Sequence, residues 1–314
     1  MTDDSRMRVA IIGGTGFVGS YLVDALTERG HEPSLLVRPG SVDKVRHVAR
    51  CRVTEGDLAS EAQIRAALDG CDAVIYNVGI LREQRAAGVT FENTQYEGVV
   101  RTLKAVKNAH IRRFLLMSAN GIRRPGTRYQ ETKFRAEEAL RGSGLDYTIF
   151  RPSVIFGDPR GTMEFATQLY QDMVRPPLPA VSFYTGWRPG TGQVLMSPVH
   201  VADVADAFLF ALEHESTAGM TYRLGGPEVL SWTEMVKRIG LATGKNKLIL
   251  PMPIAVMMVA ATLLDWLPLF PVTRDQLTML AEGNTADPDT LQSLIHRAPR
   301  MFSVENLGYL RAGR

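Results

Sequence analysis

Tyr129 and Lys133, in the stretch RYQETKFRAEEAL, stand at i and i+4 near the start of a helical pattern. That spacing puts both on one helix face, where a lysine ammonium lowers the pKa of a neighbouring phenol and readies it for proton transfer. A second chemistry-bearing stretch lies near the N-terminus. The strand-like run RVAII passes straight into GGTGFVGS, in which Gly14, Gly16 and Gly19 have the GxGxxG spacing and Gly13, Gly16 and Gly19 the GxxGxxG spacing. Such glycines permit a tight turn and let backbone N–H groups approach a pyrophosphate at the positive N-terminus of a helix beginning near Phe17. Gly13, Thr15, Gly16, Phe17 and Val18 are therefore the candidate cradle. A merely flexible turn is the alternative, and the position between an N-terminal strand and an amphipathic helix argues against it.

The kind of dinucleotide is decided at the end of the second strand, where an NAD-specific site places an Asp or Glu about 20 residues on to bind the ribose 2′-hydroxyl. Here that strand ends LLVRPGS and offers Arg38. A guanidinium there can clasp a 2′-phosphate in a charge-assisted bidentate contact, with Ser41 adding a hydroxyl donor, which predicts NADP(H) over NAD(H). The competing reading is that Arg38 stacks on adenine and ignores the phosphate. In EGDLAS, Asp57 and Leu58 follow the third strand, where a carboxylate can accept from the adenine amino group. DAVIYNVG ends in Asn77, Val78 and Gly79, where a small residue lets backbone approach a ribose. Asp57 could equally cap the helix opening near Ser60, and Gly79 could simply end a strand.

Apolar strand-like runs alternate with helical patterns through the first half of the chain, which predicts a doubly wound α/β fold: a parallel sheet with helices on both faces. After PSLLVR come CRVTEGD, EAQIRAALDG, DAVIYNVG, ENTQYEGVVRTLKAVKNA, RRFLLMS, a helix from about Glu131 to Arg141, and the strand DYTIFR from Asp146 to Arg151. Six strands are then complete. Gly- and Pro-rich segments with short helices follow, so the expected division is a nucleotide-binding domain over 1–157 and a smaller, interleaved C-terminal lobe over 158–314. Within the lobe, Leu248 to Leu264 carries no charge, although Pro251 and Pro253 interrupt its start. The apolar helix expected near 253–267 is too short to span a bilayer. It reads as a buried or oligomer-facing helix, or as one lying on a membrane with Trp266 and Phe270 near the headgroups.

Composition narrows the function classes. A hydrophobic fraction of 45% supports a large core, and a net charge of only +3 lacks the dense basic stripe of a nucleic-acid binder. Cys51 and Cys71 show no ligand spacing and read as reduced core thiols, and the six scattered histidines give no metal site. The acidic N-terminus lacks the features of a signal peptide, so the expected location is cytoplasmic, with peripheral attachment to the inner face of a membrane, or to a complex there, as the alternative. Oligomeric state is left open.

Taken in order, GGTGFVGSYL, LVRPGS, EGDL, NVGILRE, RRFLLMSANG, YQETKFRAEEAL, SGLDYTIFRPSVIFGDP, SPVHVADVADAF and YRLGGPEVLSWTEM resemble the atypical, extended short-chain dehydrogenase/reductases. Within them, the chain looks most like the subgroup containing the nucleotide-binding accessory subunit of respiratory complex I and its bacterial relatives. The resemblance implies a Rossmann domain with a small C-terminal lobe and NADP(H) at the carboxyl ends of the strands. It implies that Lys133 also holds the ribose hydroxyls, that Tyr129 is the proton-transfer residue, and that Pro152, Ser153 and Val154 approach the nicotinamide. It further implies an upstream serine as third partner. This strand reads FLLMSANG, so Ser118 is the hydroxyl at its end; Ala119 and Asn120 stand where relatives carry Ser or Thr. If strand alternation turns Ser118 into the sheet, that partner is missing. Two functions follow: an NADPH-dependent reductase acting on an unidentified carbonyl or quinone-like small molecule, or an NADPH-holding accessory protein of a membrane-associated respiratory or quinone-biosynthesis complex.

Overall fold

The computed structural model describes residues 6–80, 82–186, 188, 191–264 and 274–312. Two compact units emerge: the chain up to Arg151 together with Ala202–Tyr222, and Pro152–Val201 together with the chain from Arg223 onward.

The first unit is built on the strands β1 (Arg8–Ile12), β2 (Glu32–Val37), β3 (Arg52–Glu55), β4 (Ala73–Tyr76), β5 (Arg113–Met117) and β6 (Asp146–Pro152). Their order across the sheet is β6-β5-β4-β1-β2-β3, all parallel, with a further strand, Met220–Leu224, beside β6. That seventh strand falls outside the six expected. The reversal of order between β1 and β4 creates the switch point at which doubly wound sheets bind ligands.

Both faces of the sheet are buried, which is why the strands read as continuous apolar runs instead of alternating ones. On one face Ala10, Ile12, Val74, Tyr76, Phe114, Leu116 and Ile149 form a cluster with Ile64, Leu68, Val99, Leu103, Ala136 and Leu140. Those last six come from the helices α2 (Glu61–Leu68), α3 (Gly98–Asn108) and α4 (Arg128–Arg141). Phe150, next to Ile149 and therefore facing the other way, packs against Phe208 of the helix Val201–Glu213, with ring centroids 4.3 Å apart. Each such fully buried side chain contributes about 1.5–3 kcal/mol relative to exposure.

Two helix starts matter for function. Helix α1 (Phe17–Glu28) opens at the expected residue, with Gly16 at the N-cap, no capping side chain and no acid in its first turn. Helix α4 opens three residues before the expected Glu131. Thr127 accepts from the Gln130 N–H while the Gln130 side chain accepts from Thr127, a reciprocal capping box that a reading of apolar spacing overlooks. Tyr129 thus falls in the first turn of α4.

The second unit gathers its own core around Phe156, Phe183, Trp232, Met235, Ile239 and Phe302. The uncharged stretch from Leu248 divides into a strand, Ile249–Pro253, paired in parallel with Ala180–Tyr184, and a helix, Ile254–Leu264. Both prolines are accommodated in that strand. Trp266 and Phe270 lie outside the described residues. Among the described residues no helix is long and apolar enough to cross a membrane. Cys51 and Cys71 are both free thiols, Cys71 buried and Cys51 only half-buried.

Candidate functional site

The six parallel strands end side by side, so the segments that leave them form a line: Asp57 after β3, Arg38 after β2, Gly13 after β1, Asn77 after β4 and Ser118 after β5. Gly13 takes φ 98°, a conformation that disfavours any side chain, and a Cβ there would meet the Asn77 carbonyl oxygen at 2.8 Å. The Asn77 side chain also approaches the Gly13 carbonyl, with Nδ2 to oxygen at 3.5 Å. A Cβ on Gly19 would lie 2.1 Å from the Gly13 carbonyl oxygen, so α1 packs directly on its own loop. Gly16 differs. It has ordinary extended φ/ψ and is exposed, and a Cβ there would find nothing nearer than 3.5 Å. Ahead of the start of α1, which has no side-chain cap and whose first-turn N–H groups lack intrahelical acceptors, this open space fits an anion such as a pyrophosphate. Thr15, Phe17 and Val18, all half-buried, complete the loop and first turn.

Toward β2 and β3 the expected adenosine contacts divide. The Arg38 guanidinium is exposed and has no acceptor among the described residues, while its carbonyl accepts from the Ser41 N–H at 3.1 Å. That turn holds Ser41 beside it, and the Ser41 hydroxyl does not cap the turn that follows. Asp57 Oδ1 accepts from the Ala59 N–H at 2.7 Å, and the cap of α2 is Ser60, not Asp57. The Leu58 side chain packs into the core and its carbonyl accepts from Arg101 Nε at 2.9 Å.

Toward β5 stands Lys133. Its side chain is buried, and Nζ donates to the Met117 carbonyl at 3.2 Å. It lies 3.7 Å from where a Cβ of Gly79 would be and 5.8 Å from the centre of the Tyr129 ring. Burial brings the ammonium down to about 8, with partial relief from the Glu137 charge. Tyr129 is half-buried, edge-on to Phe91 at 5.7 Å between ring centres, and burial raises its phenol above the ordinary value.

Ser118 makes no hydrogen bond with this pair through its Oγ. It is buried, and its Oγ sits beside the Glu137 carboxylate without meeting hydrogen-bond geometry to any described atom. Glu137 is two helical turns beyond Tyr129, about 12 Å along the axis. Burial alone would raise the Glu137 carboxyl. Hydrogen bonds from Arg151, the nearby Ser118 hydroxyl and the charges of Arg151 and Arg141 bring it below the ordinary value. The Arg151 fork spans the carboxylate at 2.9 and 2.6 Å, and Arg141 Nη2 adds a contact at 2.6 Å. At Pro152 the chain passes into the second unit. There Ser153 Oγ donates to the Asn284 carbonyl at 2.6 Å and Ser153 N–H to the Leu224 carbonyl at 2.8 Å, while the Val154 carbonyl accepts from Val199. The hydroxyl hydrogen of Ser153 is therefore already committed.

One residue that sequence reasoning missed ties the site together. Gln95 is buried, its Nε2 donates to the Ile80 carbonyl at 3.0 Å, and its Oε1 accepts from Thr132 Oγ1 at 3.0 Å. It thereby links the loop after Gly79 to the turn of α4 that carries Lys133. The segment Glu92–Glu97 is a π-helical turn, which adds a residue to the helix and shifts side chains off the 3.6-residue rhythm. No spacing rule could have placed Gln95 inward; only its unusual position within an otherwise amphipathic run hinted at it.

The NAD(P)H-binding family model matches residues 13–174. The mitochondrial NADH dehydrogenase [ubiquinone] 1 alpha subcomplex subunit 9 of Arabidopsis thaliana is 29% identical over 92% of this chain and 72% of its own length. A ceramide reductase of Caulobacter vibrioides is also 29% identical, over 84% and 80% respectively. Among solved structures, a Thermus thermophilus UDP-glucose 4-epimerase in complex with NAD superposes with a TM-score of 0.74 at 20% identity, covering 98% of each chain. At that identity the match speaks for the fold alone.

Proposed function

Because the chain belongs to the NAD(P)H-binding family of Rossmann-fold, extended short-chain dehydrogenase/reductases, we propose that it holds NADP(H) along the line from Arg38 to Lys133 and reduces a carbonyl or quinone-like small molecule. The observation that carries this reading is Lys133: a buried ammonium with one carbonyl partner among the described residues, facing a glycine and sharing a helix face with a tyrosine. A lysine is not buried in this way without a partner for its remaining N–H groups, and ribose hydroxyls supply one.

In this proposal Gly13, Thr15, Gly16, Phe17 and Val18 hold the pyrophosphate. Arg38 and Ser41 hold the 2′-phosphate, Asp57 and the Leu58 backbone face the adenine, and Asn77, Val78, Gly79 and Lys133 hold the second ribose. Ser118 stands behind Lys133, and Pro152, Ser153 and Val154 approach the nicotinamide through backbone. The dinucleotide, when bound, supplies a hydride. Tyr129 Oη delivers a proton to the substrate oxygen, and the Lys133 charge stabilises the phenolate left behind. At neutral pH the lysine is mostly charged, and it loses that charge as pH rises through about 8.

The preference for NADP(H) rests on Arg38. Replacing it with alanine is expected to weaken NADPH about 10- to 100-fold and leave NADH within about threefold, since one charge-assisted bidentate contact is worth about 1.5–3 kcal/mol. Calorimetric titration of both nucleotides measures this, and an unchanged ratio removes the 2′-phosphate role.

A second reading is favoured by the diversion of Ser118 toward Glu137, which leaves Tyr129 without the hydroxyl partner of competent relatives. In it the protein holds NADPH as an accessory or assembly factor of a membrane-associated respiratory or quinone-biosynthesis complex, peripheral on the inner face of the membrane. The resemblance to a complex I alpha-subcomplex subunit supports that reading. Single-turnover oxidation of NADPH by quinones and carbonyl compounds separates the two. The reductase reading expects turnover with at least one acceptor and a loss of about 100-fold or more in Tyr129→Phe, in line with general acid catalysis. Absence of turnover with every acceptor, or full activity of the variant, removes it.

A further inference from the structure

In the second unit, exposed leucines and uncompensated cations interleave. Leu178, Leu241 and Leu248 are 68%, 65% and 67% exposed, far above what an apolar side chain of a packed lobe shows, and Leu250, Val256 and Val259 of the same unit are exposed as well. The leucines belong together in space. The Ala180 N–H donates to the Leu248 carbonyl at 2.8 Å, and Ala180–Tyr184 pairs with Ile249–Pro253. Lys247 Nζ donates to the Leu178 carbonyl at 2.6 Å and to the Pro176 carbonyl, and Lys245 Nζ donates to the Arg175 carbonyl at 3.0 Å. Leu241 lies one turn before Lys245, whose N–H donates to the Gly240 carbonyl.

The charges are as informative as the leucines. Lys245 and Lys247 are met by backbone carbonyls and the Tyr170 ring, not by carboxylates, and the exposed Arg175 guanidinium has no hydrogen bond or ion pair among the described residues. No Asp or Glu occurs in 173–184 or in 239–264. Exposed arginines elsewhere do find carboxylates, as Arg112 does with Asp146 and Arg85 with Glu83.

We infer that this face docks on an anionic lipid bilayer, with Arg175, Lys245 and Lys247 at the headgroups and Leu178, Leu248 and Leu250 in the apolar boundary. Charge complementarity selects this occupant. A second copy of the chain would bring the same carboxylate-free cations against themselves, a like-charge contact that disfavours a two-fold interface. A bilayer bearing anionic lipid answers both features at once, attracting basic residues and taking up apolar side chains. Leu178 suits insertion because Pro176, Pro177 and Pro179 stiffen the loop that carries it, so little conformational freedom is lost on docking. None of the surface's residues is among those assigned to the nucleotide, and the inference stands whether or not the reductase reading does.

The test is co-sedimentation of the full-length protein with vesicles of phosphatidylcholine alone and of phosphatidylcholine mixed with phosphatidylglycerol. Wild type is expected to bind the mixed vesicles about tenfold or more tightly than the neutral ones, with binding weakened by salt. Leu178→Asp with Leu248→Asp, both fully tolerable at exposed positions, is expected to lose about tenfold, as is Arg175→Glu, while NADPH affinity and melting temperature stay unchanged. Equal binding to both vesicle types, or variants that bind like wild type, overturns the inference. So does a concentration-dependent dimer that Leu248→Asp dissolves while vesicle binding is absent, which assigns the face to a second copy, or capture of an acidic protein without vesicle binding.

Discussion

Lys133→Met is expected to stabilise the nucleotide-free protein and to weaken its binding of NADPH. The two effects have one origin. In the unfolded chain a lysine keeps its proton to about 10.5; in the folded protein burial brings Lys133 down to about 8. Between those values the unfolded chain binds the additional proton, so wild-type stability rises as pH climbs from about 8 to about 10.5. Below 8 both states are charged and the whole penalty stands, on the order of 3 kcal/mol for the difference at 1.36 kcal/mol per pKa unit. Losing the hydrogen bond to the Met117 carbonyl costs about 1 kcal/mol in the opposite sense. The net expectation at neutral pH is a gain of about 2 kcal/mol, a rise in melting temperature on the order of 5 °C. NADPH affinity should fall about 10- to 100-fold through loss of charged hydrogen bonds to the ribose. Melting curves with and without nucleotide across neutral to alkaline pH read both effects. A Lys133→Met protein that melts lower than wild type makes the lysine a structural tether, and one that binds NADPH normally takes it out of the site.

Much of this was legible in the sequence for a physical reason: its signals are local. The loop needs glycine at Gly13 and Gly19, because neighbouring backbone leaves no room there for a Cβ. The strands β1, β4 and β5 carry unbroken apolar runs, VAII, AVIY and FLLM, because helices cover both faces of the sheet. What escaped depends on distant partners. The direction of Ser118 is set by Glu137 and by Arg151 from β6, and a period-two pattern offers it both faces without choosing. The strand Met220–Leu224 joins the sheet from far along the chain, after a helix that belongs to the first unit. The start of α4 was missed because its signal is the polar pair Thr127 and Gln130, not apolar spacing. Gln95 hid in a π-helical turn.

The second large effect contrasts two glycines three residues apart in the same loop. A methyl group at Gly19 meets the Gly13 carbonyl oxygen at 2.1 Å and Gly14 backbone at 2.8 Å, atoms that cannot move without dismantling the turn. Gly19→Ala is therefore expected to destabilise by about 3 kcal/mol or more, at the upper end for overpacking, and to lose nucleotide binding as a consequence. Gly16 has room. Its φ of −80° suits any residue, and the nearest atom to a new Cβ is at 3.5 Å, so Gly16→Val keeps the fold at a cost of about 1 kcal/mol from the poorer N-cap. The isopropyl group then fills the space in front of the first N–H groups of α1. Blocking one or two charge-assisted hydrogen bonds to pyrophosphate should cost on the order of 100-fold in affinity.

Calorimetric titration of NADPH into wild type and Gly16→Val, each first shown to melt within a few degrees of the other, tests the site most directly. Saturable one-site binding to the wild type and a loss on the order of 100-fold in the variant is the expected result. Equal affinity in the two proteins, or no binding to wild type, contradicts placement of the dinucleotide at the Gly13–Val18 loop.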